Sequence, residues 1–204
     1  MSKKAFFALI AMIGIAAGCG PSFTPALQKG EAVQSGMVLV MGKIVIDPVW
    51  FTKKDIEQQG GEIPNIRIGM TYDLSKEATE GKLYYPDEGV NPILSEFFYY
   101  PLSPGNRYIR SGMVFKVKGH HMVGVAKGQA VYDVLNFFRN IRFEVPPNAK
   151  AVYIGTIVYK HDGKHATAIL VRDEYSEAVQ ELEKMKMPGI RAGDLKKRLA
   201  VVVK

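Results

Sequence analysis

The residue best suited to chemistry in this 204-residue chain is Cys19, because it is the only cysteine. It follows the small residues Ala16-Ala17-Gly18 at the end of an apolar run that begins just after Lys3-Lys4. A basic head, an apolar core too short to span a bilayer comfortably and small residues before a cleavage point are typical of a secretory signal. We therefore expect residues 1–18 to be a signal peptide.

The tetrapeptide Ala16-Ala17-Gly18-Cys19 resembles the lipobox of bacterial lipoproteins. The resemblance implies that the Cys19 thiol is lipidated, that the chain is cut just before it, and that the new amino end is acylated, palmitate being typical. Alanine replaces the leucine that the family prefers at Ala16, and Gly20 stands where an aspartate would favour the inner membrane. The expected location is the outer membrane, with the domain in the periplasm or facing outside. The alternative is an ordinary cleaved signal followed by a coincidental cysteine.

Other chemistry-bearing residues form no recognisable motif. The four histidines are His120, His121, His161 and His165, and their spacing does not match the ordered ligand sets of zinc sites. Neither a nucleophile elbow nor a phosphate-binding glycine loop is present. The sequence therefore predicts no cofactor, no metal and no catalysis. The alternative is an envelope enzyme acting on polysaccharide or peptide, because catalytic partners need only meet in space.

Size and charge limit the classes of function. Removing residues 1–18 leaves 186 residues, which can bury a sound core without disulfides or metals. The formal charge of +7 falls to +5 when Lys3 and Lys4 are removed with the signal. Export argues against nucleic acid as a partner. Mild attraction to anionic lipid or to cell-wall polymers is one use for the positive charge, and simple solubility is the other.

Composition divides the rest of the chain into three parts. Residues 19–35 hold glycines and prolines without an apolar period, which predicts a flexible tether after the lipidated cysteine. Residues 36–171 hold short β-rich segments, which favours an antiparallel β-sandwich. Residues 172–204 are expected to form a C-terminal amphipathic helix and a tail packed on the domain, with a last strand from Arg198 to Val203.

Three segments predict strands with particular clarity. Residues 37–46 form a long β-branched run in which Gly42 suggests a bulge or a close neighbour. Residues 66–72 alternate as a half-buried strand. Residues 150–171 predict a hairpin turning at Asp162-Gly163. Its first strand should place Val152, Ile154, Thr156 and Val158 on one face and Tyr153, Gly155, Ile157 and Tyr159 on the other.

The segment 97–110, an aromatic strand followed by Leu-x-Pro-Gly and a second strand with a tyrosine, resembles transthyretin-like and peptidase-regulatory-like β-sandwich modules. Pro104-Gly105 fits the centre of a type II turn. Such modules usually bind or support other molecules without catalysis. Ser95-Glu96 departs from the family, whose members often have glycine before the aromatic strand. Between 126 and 137 the pattern leaves helix and strand both open.

Two aromatic pairs are candidates for a contact surface. Trp50 and Phe51 form either an exposed binding pair or, more commonly for such residues, a plug at the end of the core. Tyr84 and Tyr85 lie in a long irregular insertion over 73–96, and such insertions are often functional. The helix stripe of Tyr175, Val179, Leu182 and Met185 is expected to pack on the domain, with docking of a partner as the alternative.

These observations lead to one expectation and two alternatives. The chain is expected to be a lipid-anchored, non-catalytic binding or structural module that contacts the membrane through its anchor and an envelope protein or cell-wall polymer through its domain. It is otherwise an envelope enzyme, or an accessory subunit of an outer-membrane assembly or export complex.

Overall fold

The computed structural model describes residues 23–58, 66–73, 87–120 and 130–203. The predicted signal peptide, Cys19, Tyr84 and Tyr85 lie outside these ranges. The described chain is mainly β. Its strands are β1 (Val38–Asp47), β2 (Ile66–Thr71), β3 (Glu88–Val90), β4 (Phe97–Leu102), β5 (Gly105–His120), β6 (Ala130–Val145), β7 (Ala151–His161), β8 (Ala166–Arg172), β9 (Leu195–Lys197) and β10 (Val201–Val202). Its helices are α1 (Lys53–Gln58), α2 (Tyr175–Met185) and the 3₁₀ turn Ala192–Asp194.

The strands form two five-stranded, mostly antiparallel sheets. The first sheet has the order β4-β1-β7-β8, with β9 also paired to β7, and the second has the order β10-β6-β5-β2-β3. The expected antiparallel pairing holds for most strand pairs, but in the first sheet β1 pairs with β7 in parallel and β7 pairs with β9 in parallel. Parallel neighbours need long connections. Here β4 and four strands of the second sheet, β2, β3, β5 and β6, lie in sequence between β1 and β7.

Side chains from both sheets share one hydrophobic cluster, which we call the interior core. It includes Val40, Ile44, Ile68, Phe143 and Ile154. A second cluster lies between the opposite face of the first sheet and α2, and includes Leu39, Met41, Tyr153, Ala178 and Leu182. β1 and β7 are therefore buried on both faces, which explains why they are apolar almost throughout.

A bulge between β1 and β7 interrupts the predicted alternation. Gly42 faces two residues of β7, because Met41 pairs with Tyr153 while Lys43 pairs with Thr156. The extra residue lies in β7, beside Gly155, which has a φ of +103°. An extra residue reverses the faces beyond it.

The predicted faces of β7 are therefore wrong beyond this point. Val152 and Ile154 share one face, as predicted, and both lie in the interior core. Beyond the bulge, Ile157 and Tyr159 lie in that core, whereas the alternation predicts Thr156 and Val158 on this face. A single-sequence alternation pattern contains no signal for this reversal, because Gly155 is compatible with an ordinary strand position.

Three other segments differ from simple expectation. The undecided segment 126–137 is extended from Ala130 as part of β6. The insertion 73–96 contains the short strand β3, while 74–86 lie outside the described residues. Ser103-Pro104 carries the chain from β4 in the first sheet to β5 in the second, and Gly105, with a φ of +131°, is already the first residue of β5 and does not have the φ of about +80° that the predicted type II turn requires.

Both ends of the described chain cover sheet edges. Residues 23–36, expected to be a free tether, run along the domain, and we call them the N-terminal strap. Phe23 bridges to Gly89 of β3, and the Leu27 N–H donates to the Tyr99 carbonyl of β4 at 2.8 Å. The strap thus connects the β3 edge of the second sheet with the β4 edge of the first.

The C-terminal segment forms two strands where one was expected. β9 pairs with β7 of the first sheet, and β10 pairs with β6 of the second. The predicted strand 198–203 is therefore shorter, at Val201–Val202, and β9 precedes it. Backbone pairing to both sheets ties this tail to the domain more firmly than side-chain packing alone.

The helix α2 lies against the outer face of the first sheet. Ala178 and Leu182 are buried, and Tyr175, Val179 and Met185 of the predicted stripe are half-buried against the second cluster. The Tyr175 N–H donates to the Asp173 carboxylate at 3.1 Å just before the helix, whose N-cap residue is Glu174 and has no side-chain cap hydrogen bond.

We predict that Gly155→Ala lowers the free energy of unfolding by about 2–4 kcal/mol, measured by urea denaturation. A β-carbon at Gly155 would lie 2.7 Å from a Val171 methyl carbon, in addition to the backbone cost of its positive φ. The matched control is Gly163→Ala, where φ is also positive but no heavy atom lies within 4 Å of the added carbon. Equal losses in the two variants would contradict the packing argument.

Candidate functional site

Trp50 and Phe51 lie at the end of the interior core just beyond β1. Their rings meet edge to face with centroids 5.3 Å apart. Both side chains are half-buried and pack against the interior core. This is the arrangement of a core plug that keeps part of its surface accessible, so a contact role for this pair stays a prediction. Cys19, Tyr84 and Tyr85 cannot be placed, because they fall outside the described residues.

The histidines of the β7–β8 turn are engaged in backbone contacts. His161 Nε2 lies 2.6 Å from the Pro48 carbonyl oxygen, and the Gly163 N–H donates to His161 Nδ1 at 2.9 Å. A carbonyl oxygen can only accept and a backbone N–H can only donate, so these two contacts assign the donor role to Nε2 and the acceptor role to Nδ1. In the described part of the chain, no three His, Cys, Asp or Glu residues are arranged to hold a metal ion.

The same turn is organised by a carboxylate. Asp162 Oδ1 accepts the N–H groups of Lys164 and His165, both at 2.8 Å. These backbone donors, that of His165 first, lower the pKa of Asp162 because they stabilise the charged form. The turn is therefore stabilised by side-chain-to-backbone bonds typical of aspartate in turns.

A polar cluster fastens α2 to the first sheet, and we call it the lysine cluster. Lys43 Nζ lies 2.8 Å from Glu174 Oε2 and 3.1 Å from Glu177 Oε1. It also lies 4.4 Å from the centroid of the Phe97 ring, in cation–π geometry. Thr156 donates its hydroxyl to Glu174 Oε2 at 2.8 Å. The charged groups of the lysine cluster are thus paired with one another, which favours a structural role for them over a catalytic one.

The charge states in the lysine cluster support each other. Burial disfavours both charged forms, but hydrogen bonds and charge attraction outweigh it. The pKa of Lys43 is therefore raised by Glu174 and Glu177, and the pKa of Glu174 is lowered by Lys43 and Thr156. Both groups remain charged across the neutral pH range.

A second polar cluster surrounds Arg107, and we call it the arginine cluster. Arg107 is only 1% exposed. Its guanidinium donates to the Ser103 carbonyl at 2.8 Å and to the Ser103 hydroxyl at 2.6 Å, and its Nε lies 3.4 Å from Glu88 Oε2. The Tyr72 ring lies over it, with the guanidinium carbon 4.1 Å from the ring centroid. A buried arginine is thus satisfied by a carboxylate, a carbonyl, a hydroxyl and an aromatic face.

The arginine cluster reaches the N-terminal strap through Glu88. Thr24 donates its hydroxyl to Glu88 Oε1 at 3.0 Å, and Tyr72 donates to Oε2 at 3.3 Å. Burial, followed by the charge of Glu88, raises the pKa of Tyr72 and keeps its hydroxyl protonated. Glu88 therefore joins the strap, β3 and the buried guanidinium in one network.

An open groove of about 420 Å³ lies between the N-terminal strap and β4, and we call it the edge groove. Its walls mix apolar, aromatic and polar side chains, chiefly Leu27, Lys29, Ile93, Phe97, Tyr99 and Met185. Burial raises the pKa of Tyr99, and burial raises that of its neighbour Tyr100 to about 12. Tyr99 and Tyr100 are only 9% and 2% exposed, so the accessible surface of the groove comes mainly from residues such as Lys29, Ile93 and Glu96.

Sequence reasoning did not single out the arginine cluster, the lysine cluster or the edge groove. Lys43 had one available signal, a charged residue inside a strongly apolar strand, whereas Arg107 lies among polar and charged residues at the start of β5 and had none. The partners of Lys43 lie far away in sequence, as Lys43 and Glu177 are 134 positions apart. The edge groove had no signal, since one wall is formed by a strap expected to be free.

Comparison with protein-family models, with curated proteins and with solved structures finds no match to this chain. Within the residues that the structure covers, no helix has both the length and the hydrophobicity needed to cross a membrane.

We predict that Glu174→Gln lowers the free energy of unfolding at neutral pH by about 1 kcal/mol, since its contact with Lys43 is only partly buried. Because the folded pKa of Glu174 lies below its usual 4.5, this stabilisation is present above that value and is lost as pH falls through the folded pKa. The difference between variant and parent in urea unfolding should therefore shrink as pH falls below 4.5. Glu183→Gln, on the exposed side of α2, is the control and should change little at either pH.

We predict that Glu88→Gln costs about 2 kcal/mol of unfolding free energy, because it removes the carboxylate facing a buried guanidinium. Glu96→Gln, at an exposed position near β4, is the matched control. Indistinguishable urea midpoints for these two variants would contradict the role given to the arginine cluster.

Proposed function

We propose that this chain is a lipid-anchored envelope lipoprotein whose domain acts as a non-catalytic binding or structural module at the outer membrane. The observation that carries the proposal is the sequence Ala16-Ala17-Gly18-Cys19 at the end of a basic and then apolar segment, with no other cysteine in the chain. Several acyl chains on one residue would give lasting attachment, because each buried methylene contributes ~0.8 kcal/mol.

We further propose that the two sheets form a β-sandwich of the transthyretin-like kind, closed on its outer side by α2. Support comes from the interior core, which draws side chains from both sheets, and from the aromatic strand β4 leading through Pro104 into β5. A domain stabilised by packing alone suits a chain whose only thiol would be occupied by lipid.

The edge groove is the surface that we assign to binding. It combines the exposed apolar side chain of Ile93 with Lys29 and Glu96, so it offers apolar, charged and hydrogen-bonding groups to a polymer of the envelope or to a protein segment. The non-catalytic part of the proposal is supported by the lysine and arginine clusters, whose charged groups hold one another.

We predict that Cys19→Ala abolishes metabolic labelling by a fatty-acid analogue and moves the protein from the membrane fraction to the soluble fraction. The reason is that the lipidated thiol is the proposed attachment. Cys19→Ser serves as a second variant, because its hydroxyl is close in size but does not form the thioether. Unchanged labelling in both variants would overturn the proposal.

A further inference from the structure

The N-terminal strap is bound to the domain along both sheet edges. Beyond the Phe23–Gly89 bridge, the Thr24 N–H donates to the Gly89 carbonyl at 2.8 Å and the Gly30 N–H donates to the Met185 carbonyl at 2.9 Å. Leu27 is half-buried against the second cluster. Backbone bonds at three places and a half-buried side chain fix the course of this segment.

The Phe23 ring packs against Gly89, in space that any other residue at position 89 would fill with its side chain. A β-carbon added to Gly89 would lie 2.7 Å from two carbons of the Phe23 ring. The next residue, Thr24, is bound by its hydroxyl to Glu88, which itself contacts the buried Arg107. The strap is therefore attached to the best-buried polar network of the domain from its first two described residues onward.

This attachment sets a strict limit on the reach of Cys19. Four residue steps separate Cys19 from Phe23, and a fully extended chain covers at most about 14 Å in four steps. A free tether over 19–35 would average roughly 20–25 Å and could extend much further. Lipidation at Cys19 would thus hold Phe23, and the sheet edge beneath it, close to the headgroups.

The pairing also gives the direction. Phe23 pairs with Gly89 in parallel, so the first described residue of the strap lies at the end of β3 that carries Glu88 and Asp87. On the neighbouring strand this is the end that carries Tyr72, whose side chain is 48% exposed. The opposite end, at the β7–β8 turn, is out of reach, because β7 alone runs eleven residues, or about 35 Å, away from the Ala151 end.

We propose that the strap orients the domain on the bilayer, with the β3 edge and the Tyr72 end facing the lipid headgroups and the β7–β8 turn and Trp50 facing away. This inference rests on the proposed lipidation of Cys19. Tyrosine suits the headgroup region because its ring is apolar and its hydroxyl is polar. The occupant assigned to this end of the molecule is therefore the surface of the anchoring membrane itself.

The test uses the full lipidated protein in vesicles of phosphatidylethanolamine and phosphatidylglycerol. Because the chain has no second cysteine, Asn106→Cys and Lys164→Cys each provide one site for a fluorescent donor. Both positions are exposed, with Asn106 at the start of β5 and Lys164 in the β7–β8 turn. Energy transfer to an acceptor lipid should be roughly twofold or more higher from position 106, because the two heights differ by about 30 Å.

An insertion variant separates the strap from the anchor. About 15 Gly/Ser residues placed after Ser22 leave the strap intact but lengthen the free chain, so transfer from the two positions should become nearly equal. Replacing Pro21 and Ser22 by glycine keeps the length and should preserve the difference. Each protein is first checked for fatty-acid labelling.

The outcomes distinguish the two proposals. Absence of labelling in the parent chain contradicts the lipid anchor and this inference with it. A labelled parent chain that shows equal transfer from positions 106 and 164 overturns the orientation and leaves the anchor standing. A difference that survives the long insertion also overturns the inference, because the strap would then not be its cause.

Discussion

Burial of β1 and β7 on both faces is the constraint on which the rest of the structure depends. β1 and β7 have the interior core on one side and α2 with the second cluster on the other. Such strands need every backbone group paired and every side chain packed, since water reaches neither face. Pairing with β7 satisfies backbone groups of β1, and the helix α2 covers the outer face of both strands. The bulge at Gly155 places Ile157 and Tyr159 in the interior core.

Charged groups in this domain act mainly as fasteners between elements. The lysine cluster joins β1 to α2, and the arginine cluster joins β3, β5 and the N-terminal strap. In each cluster, carboxylates and other polar or aromatic groups surround one long cationic side chain, so the side chain stays charged although it is buried or partly buried. Part of the positive charge of the chain is therefore neutralised by ion pairs within the domain.

Much of the strand content could be predicted from the sequence, because β-branched runs and turn residues are local signals. β1, β2 and the β7–β8 hairpin begin and end within one or two residues of their predicted limits. What could not be predicted depends on distant pairing. The parallel partner of β1, the reversal of faces after Gly155 and the docking of the strap on Gly89 leave no local pattern.

Of the candidate contact residues, Trp50 and Phe51 are placed half-buried at the core end, a position compatible with either of their two interpretations.

The parallel pairing of β1 with β7 also has a consequence for how the chain matures. Leu39 must find Ala151, a partner made roughly 110 residues later. Folds dominated by such distant contacts assemble slowly, in milliseconds to seconds. Until β7 has been synthesised, β1 exposes two hydrophobic faces, a state prone to aggregation. A chaperone that shields the first strand until then would favour folding of this chain over its aggregation.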